Sequence, residues 1–217
     1  MDRYAATYTD ANGSETTTIS NDGANLALSL RGVEFVGCDF DSLEPTGASP
    51  EQLQSFTLNQ GSLCSCRIQC RIPVPVQECG KLFEGWLSIE LVLGNPGPKG
   101  GLDREELGIV LEYNGQQWAG SGKSGWFEDE LLDIQGQLPE GTFFNACINC
   151  LYSDYSPADH GLFGGMLCYR NLKAEYLSIK SKREFLVLLH RREDRSVQET
   201  YLCHEFERRV PGTGYRG

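Results

Sequence analysis

Residues 63–76 read LCSCRIQCRIPVPV. Cys64, Cys66, Ile68, Cys70 and Ile72 fall on one set of alternate positions, and Ser65, Arg67, Gln69 and Arg71 on the other. Successive side chains of a strand point to opposite faces, so this is the pattern of a strand with one face in a core and one in water. On that face the thiols of Cys64, Cys66 and Cys70 read as small apolar packing groups rather than as ligands. Pro73 and Pro75 fall on alternate positions near the end of the run, where the missing N–H groups place the strand at a sheet edge or stop it.

Working outward, more strands appear on both sides. Toward the N-terminus, RYAATYT, ETTTISND and LALSLRGVEFVG are β-branched and aromatic runs separated by the turn-forming DANG and NDGAN. Asp22-Gly23 suits a turn that needs positive φ. The connection 38–55 is polar, and Pro50–Leu53 reads as one helical turn with Ser49 as cap and proline first. Toward the C-terminus, LFEGWLSIELVLG (82–94) and LGIVLEY (107–113) are strands, the second closed by Asn114-Gly115. One helix is expected from about Gly125 to about Gln137, with Ser124 as cap, acidic residues 128–130 at its positive end, and Trp126, Leu131 and Ile134 on one side. KAEYLSIK, REFLVLLHRRE and VQETYLCHEFE read as further strands. Nine or ten short strands against one good helix, with turn signals every 8–12 residues, predict an all-β sandwich with one short α-helix and a cysteine-rich loop. The expected organisation is a single domain over 1–217, with a Cys-rich insertion at about 145–171 and a flexible tail at about 208–217.

The chain has 217 residues, 40% hydrophobic, enough for a core of its own. Mean hydropathy is −0.35 and no apolar run approaches 18 residues, so no membrane partner is expected. The N-terminus has no apolar stretch of signal-peptide type, and the protein reads as cytoplasmic. In that compartment nine cysteines point to reduced thiols or metal ligands rather than disulfides. A net charge of −11 makes nucleic acid a poor general partner. The charge is uneven: residues 1–169 carry 8 basic and 23 acidic side chains, and residues 170–217 carry 11 and 7. Differing solvated faces account for this, and so would a basic patch for an acidic partner.

Chemistry concentrates in 145–171, NACINCLYSDYSPADHGLFGGMLCYRN. Cys147 and Cys150 form a Cys-x-x-Cys pair, which lets two thiolates on a tight turn reach one Zn²⁺. Cys168 follows at a spacing compatible with a zinc knuckle. Cys203 is the expected fourth ligand, with His204 or His160 as alternatives, and the zinc is expected to be structural. A redox role for the pair lacks a βαβ setting and a helix starting at the second thiol. No His-x-Glu occurs, which removes the zinc-deaminase class. Were only three protein ligands used, Asp154, Asp159 or His160 could serve an open catalytic site.

Gly120-Ser-Gly-Lys-Ser-Gly125 invites comparison with a phosphate loop, but the motif needs glycine where the chain has Gln117. Three acidic residues in the following turn would repel phosphate. A loop leading into the helix is the expected role. No Gly-x-Ser-x-Gly elbow occurs.

The block C-I-N-C-x-Y-S-D-Y-S-P…H-G-x-F-G-G-M-L-C-x-R-N at 147–171 resembles an uncharacterised family of bacterial, notably actinobacterial, proteins. The resemblance extends to IPVPV (72–76), GLDREEL (101–107), SGWFEDELLDI (124–134), QETYLC (198–203) and PGTGYRG (211–217). It implies a soluble bacterial protein and assigns no activity to any residue. Together these readings predict a non-enzymatic binding or interaction protein, immunity- or adaptor-like, with another protein as partner. The alternative is a zinc-dependent hydrolase using Asp154, Asp159 and His160.

Overall fold

The computed structural model describes residues 1–156, 161–189 and 196–215. The chain opens with two antiparallel hairpins, β1 (Asp2–Asp10) with β2 (Gly13–Asn21) and β3 (Leu26–Leu30) with β4 (Val33–Gly37). The run LALSLRGVEFVG is therefore two strands, turned at Arg31-Gly32, both of which adopt positive φ. A short 3-10 turn (Phe40–Ser42), β5 (Glu44–Thr46) and α1 (Pro50–Leu53) follow. Ser49 caps α1 in a reciprocal capping box with Gln52, as its spacing predicts.

Next come β6 (Thr57–Asn59), β7 (Ser62–Cys64), β8 (Cys66–Glu78), β9 (Lys81–Leu93), β10 (Glu105–Tyr113) and β11 (Gln116–Ala119). The alternating run is broken once: Ser65 has φ +52, so Cys64 pairs with Thr57 in β7 while Cys66 begins β8. From Cys66 to Cys70 the burial alternates as the residue types do, and burial pushes the Cys66 and Cys70 thiols to about 12.

The ten-stranded antiparallel sheet runs β11-β10-β9-β8-β1-β2-β3-β4-β5, with β12 (Phe143–Phe144) added beside β8. β8 thus lies inside the sheet and pairs with β9 from Cys66 to Glu78, straight through Pro73 and Pro75. The expectation that these prolines end the strand or put it at an edge is corrected, and the reason lies in which side they face. The Pro75 carbonyl accepts from the Asn145 amide, away from β9. In an antiparallel strand the N and C=O of one residue face the same neighbour, so the missing N–H groups of Pro75 and Pro73 face away from β9 too. Pairing with β9 is untouched, whereas pairing of β1 with β8 is confined to Ala6–Thr9 and the sheet splits below it.

One face of the central strands is buried, while β11 and residues 81–84 of β9 carry no buried residue. Tyr4, Tyr8, Leu28, Phe35, Ile72, Ile89 and Ile109 belong to one core cluster with Phe127, Leu131 and Ile134 of α2 (Phe127–Gln137). Each such side chain contributes about 1.5–3 kcal/mol on leaving water. A second layer covers that face: α2, the 3-10 turn Cys147–Asn149, and a small sheet of β13 (Ser153–Tyr155), β14 (Met166–Cys168) and β15 (Ser196–Val197).

The C-terminal third corrects three expectations. KAEYLSIK and REFLVLL are not strands but α3 (Lys173–Ser178) and α4 (Lys182–Leu189), the remainder of the expected strand REFLVLLHRRE lies outside the described residues, and VQETYLCHEFE is strand only at its first residue, in β15. The buried residues Tyr176 and Ile179, and Phe185 and Leu188, lie three apart, which is helical spacing. With Leu167 and Tyr169 they form a second, smaller core. Tyr169 stacks on Tyr176 at 4.8 Å, and Phe185 stacks on Tyr215 at 4.8 Å, so part of 208–217 lies against this core. No helix among the described residues is long and apolar enough to cross a membrane.

Candidate metal centre

The Cys-x-x-Cys pair sits on a tight turn. Cys150 N donates to Cys147 O at 3.0 Å, and Ser153 Oγ donates to the carbonyls of both cysteines. The turn is fixed to α2 through Asn149, whose Nδ2 donates to Gln135 Oε1 and to Phe144 O. Two further segments are laid against it. Ser153 is in register with Cys168, and Tyr169 N donates to Tyr152 O at 2.8 Å, which brings β14 alongside. Cys147 N donates to Tyr201 O and Ile148 N to Glu199 O, while Leu151 N donates to Glu207 O. The turn at Cys203, closed by Phe206 N on Cys203 O, therefore spans the Cys147–Cys150 turn.

All four cysteines are free thiols. Burial raises Cys147 first, and then the charges of Cys150, Cys168, Cys203 and Glu199 raise it further. Burial also raises Cys150 and Cys168, with Cys203 adding to both. Backbone N–H groups oppose the shift: Tyr152 and Glu207 donate toward Cys150, and Arg170 toward Cys168. Such donors favour the thiolate. Cys147, Cys150, Cys168 and Cys203 thus lie within electrostatic reach of one another. Among the described residues, however, no group of three His, Cys, Asp or Glu side chains is drawn together closely enough to hold a metal. The two observations differ in range. Coulomb interactions extend over many ångströms, whereas a shared tetrahedral Zn²⁺ at about 2.3 Å from each sulfur requires sulfurs about 3.8 Å apart.

The other candidates fare differently. The His204 side chain is 86% exposed, with Nε2 3.8 Å from Glu205. Asp154 is buried, and its carboxylate accepts from Tyr155 N and from the Tyr176 hydroxyl, both at 2.8 Å. It fastens α3 to β13. Asp159 and His160 lie outside the described residues. Cys38 and Cys79 are exposed.

The residues 120–125 form a loop whose donors converge on one buried carboxylate. Glu130 accepts from Gly122 N at 2.7 Å, Ser124 N at 3.1 Å, Ser124 Oγ at 2.7 Å and Ser121 Oγ at 3.2 Å. A Cβ on Gly120 would stand 2.4 Å from Glu130 Oε2, which explains the glycine. The protein's own carboxylate occupies the amides that a phosphate would need. Ser124 does not cap α2 as expected; the N-cap is Trp126, without a side-chain cap.

Sequence reasoning missed a second polar cluster. Asp39 Oδ1 accepts from Phe40 N at 2.6 Å and Phe163 N at 2.8 Å. Glu199 accepts from the Tyr155 hydroxyl at 2.9 Å and from Gly164 N at 2.7 Å. Two buried carboxylates, from distant parts of the chain, hold adjacent amides of the Gly161–Gly165 loop. Burial drives Asp39 well above the usual carboxylate range, with Asp41 and Glu199 adding to it, and burial also raises Glu199. A Cβ on Gly164, which has φ +97, would meet Cys38 O at 2.4 Å. The glycine density of GLFGG was the signal available for this close approach.

Residues 2–153 match the profile of a family described as a family of unknown function, DUF6304. The match spans the large sheet, α2 and the Cys147–Cys150 turn. No curated protein and no solved structure matches the chain.

Proposed function

The chain belongs to the DUF6304 family of unknown function, and for this member we propose a non-enzymatic binding or interaction protein with a structural zinc on Cys147, Cys150, Cys168 and Cys203. The observation that carries the metal reading is the backbone pairing that lays the segments of Cys168 and Cys203 against the Cys147–Cys150 turn. Zinc would convert two buried thiols, Cys147 and Cys150, and two half-buried ones, Cys168 and Cys203, into thiolates, and the N–H groups of Tyr152, Glu207 and Arg170 already point toward two of those sulfurs. Four thiolates close the coordination sphere and leave no position for water, which favours a structural over a catalytic ion. The hydrolase reading is not adopted, because Asp154 is engaged with Tyr155 and Tyr176 and has a packing role.

Support for a binding role comes from the charge distribution and from the use of the buried carboxylates Glu130, Asp39 and Glu199 as backbone fasteners. The partner proposed is another protein. Metal analysis of the purified chain tests the metal reading. One zinc per chain is expected, lost in Cys147→Ser and in Cys203→Ser. Folded protein without zinc, or full zinc in both variants, would overturn it. A hydrolytic activity abolished by Asp154→Asn in a variant that still folds would return the enzyme reading.

A further inference from the structure

An open groove of about 740 Å³ lies between the C-terminal end of β8, β12 and the segment 202–208. Backbone pairing brings these three pieces of chain together. Phe143 of β12 stands opposite Gln77 of β8, the Asn145 amide donates to Pro75 O, and Arg208 forms an antiparallel bridge with Cys150. Phe143 is 5% exposed and lies beneath the groove, and the half-buried Leu202 and Phe206 also line it.

In a chain of net charge −11, the lining of this groove includes no aspartate or glutamate among the described residues. Arg208 is the permanently charged side chain on it, and its guanidinium sits 3.8 Å from the centre of the Phe143 ring. Attraction to the ring face holds the group in place and leaves its N–H donors unspent. Among the described residues Arg208 has no carboxylate partner and no side-chain hydrogen bond. The acidic side chains nearest to it in sequence are engaged elsewhere: Lys173 Nζ lies 3.2 Å from Glu205 and 3.6 Å from Glu207. The carboxamides of Gln77 and Asn145, on the same lining, also make no hydrogen bond among the described residues.

We propose that this groove docks an acidic segment of a partner protein: one carboxylate side chain on Arg208, a neighbouring apolar side chain against Phe143, Leu202 and Phe206, and the segment's backbone on the carboxamides of Gln77 and Asn145. The assignment rests on the reading of the chain as an interaction protein, names the class of partner, and does not depend on zinc. A guanidinium offers a carboxylate two parallel N–H···O bonds, which fix geometry as well as charge. Each carboxamide supplies donors and an acceptor, as a peptide group requires. The acidic surface of the remainder of the chain repels such a segment, which favours docking at this groove over other places.

The test titrates the full chain, read by amide NMR shifts, with acetyl-Ser-Phe-Glu-Leu-Ser-amide. The comparison peptides are the same sequence with glutamine in place of glutamate, and acetyl-Ser-Ser-Glu-Ser-Ser-amide, which keeps the charge without the apolar neighbours. The first peptide is expected to bind at least about tenfold more tightly than either of the others. Its shifts should fall on residues 77, 143–145 and 202–208. Arg208→Gln, at an exposed position, leaves the backbone bridge to Cys150 in place and should erase the preference for glutamate over glutamine. Equal affinity for those two peptides would overturn the proposal. So would a preference kept in Arg208→Gln, shifts elsewhere in the molecule, or no binding up to the solubility of the peptide. A single-stranded DNA oligonucleotide that shifts the same residues at lower concentration would overturn it too, assigning the groove to phosphates. Mass spectrometry of the peptide afterwards separates two kinds of failure. Intact peptide that does not bind the groove ends this assignment and leaves the interaction reading standing, whereas cleaved peptide ends the interaction reading itself.

Discussion

The large sheet and the region after Asn145 are built on different principles. In the sheet most partners are neighbours in sequence: β1 with β2, β3 with β4, β8 with β9 and β10 with β11 each form a hairpin. Its stability is spread over many alternating apolar side chains on one face. In the second region the partners are distant. Phe163 N reaches Asp39 across 124 positions, Gly164 N reaches Glu199 across 35, and Tyr176 reaches Asp154 across 22. A few polar fasteners and a small aromatic core are added to the side chains this region gives the sheet's core, such as Ile148, Phe163 and Met166. One lost contact therefore costs the sheet a small share of its total, whereas one lost fastener releases a segment.

The sharpest way to break this contrast is to remove metal. Structural zinc contributes apparent binding free energies of about 10–16 kcal/mol, most of it spent on holding the fold around it. Treatment with a strong chelator is expected to raise amide hydrogen exchange across residues 145–215 while β8, β9 and β10 stay protected. Exchange by mass spectrometry reads both regions in one experiment. Uniform loss of protection would show that the two regions stand or fall together, and no change at all would remove metal from the second region.

Glu130 tests the seam between α2 and the sheet. Hydrogen bonds to a charged group are worth about 1.5–3 kcal/mol each, so Glu130→Gln, which removes the charge and leaves some acceptor capacity, is expected to cost about 2 kcal/mol. The measurement is the urea midpoint. Burial raises the Glu130 carboxyl, but the donors of Gly122, Ser124 and Ser121 together outweigh it and hold it below its ordinary value. A depressed carboxylate contributes stability above its unfolded pKa, and that contribution is lost as pH falls through the folded value. Wild type should therefore lose more stability on acidification than Glu130→Gln.

The two regions also differ in how far they can be read from sequence. Strict alternation in CRIQC, and turn pairs such as Asn114-Gly115, are local signals that the sheet's hairpins obey. The prolines of IPVPV were half legible. Their missing donors were evident, but the side they faced depended on Asn145, some 70 positions away. KAEYLSIK and REFLVLLH misled because both contain apolar runs too short to fix a period. Only the spacing of Tyr176 to Ile179 and of Phe185 to Leu188 carried the helix. Asp39 and Glu199 had no signal of their own, since an isolated acidic residue reads as solvated surface until the fold buries it. The cysteine pair at 147 and 150 was conspicuous, but the backbone bonds that lay residues 199–208 across it join segments about 50 positions apart and leave no local trace.

Asp39 turns the contrast into a question of sign. Its folded pKa is raised, by burial first and then by Asp41 and Glu199, the opposite of Glu130. A raised carboxyl contributes fully below its unfolded pKa, and the contribution is lost as pH rises toward the folded value. Tyr155 and Glu199 face the same loop, and Asp129 adds to the charge felt by Tyr155. Asp39→Asn keeps an oxygen for the amides of Phe40 and Phe163 and cannot ionise. It is expected to flatten the decline in stability on the alkaline side of the carboxylate range, read as urea midpoints across a pH series. An unchanged slope would show that Asp39 is ionised in the folded protein and that its two N–H donors outweigh burial.

The smallest expected effect sets the baseline for the sheet. Cys70 lies on the buried face of β8, 7% exposed, with its thiol raised to about 12 by burial alone. Cys70→Ala removes one buried sulfur from a wall of Ile68, Ile72 and Ile89, and by area the loss is about 1 kcal/mol. Zinc content and the exchange pattern of residues 145–215 should not move. The same substitution at Cys147 should leave the sheet's exchange as it was and release the segment around it. If Cys70→Ala loosened 145–215 as much as Cys147→Ala does, cysteine loss would act through general destabilisation, and the distinction between a distributed face and a fastened layer would fail.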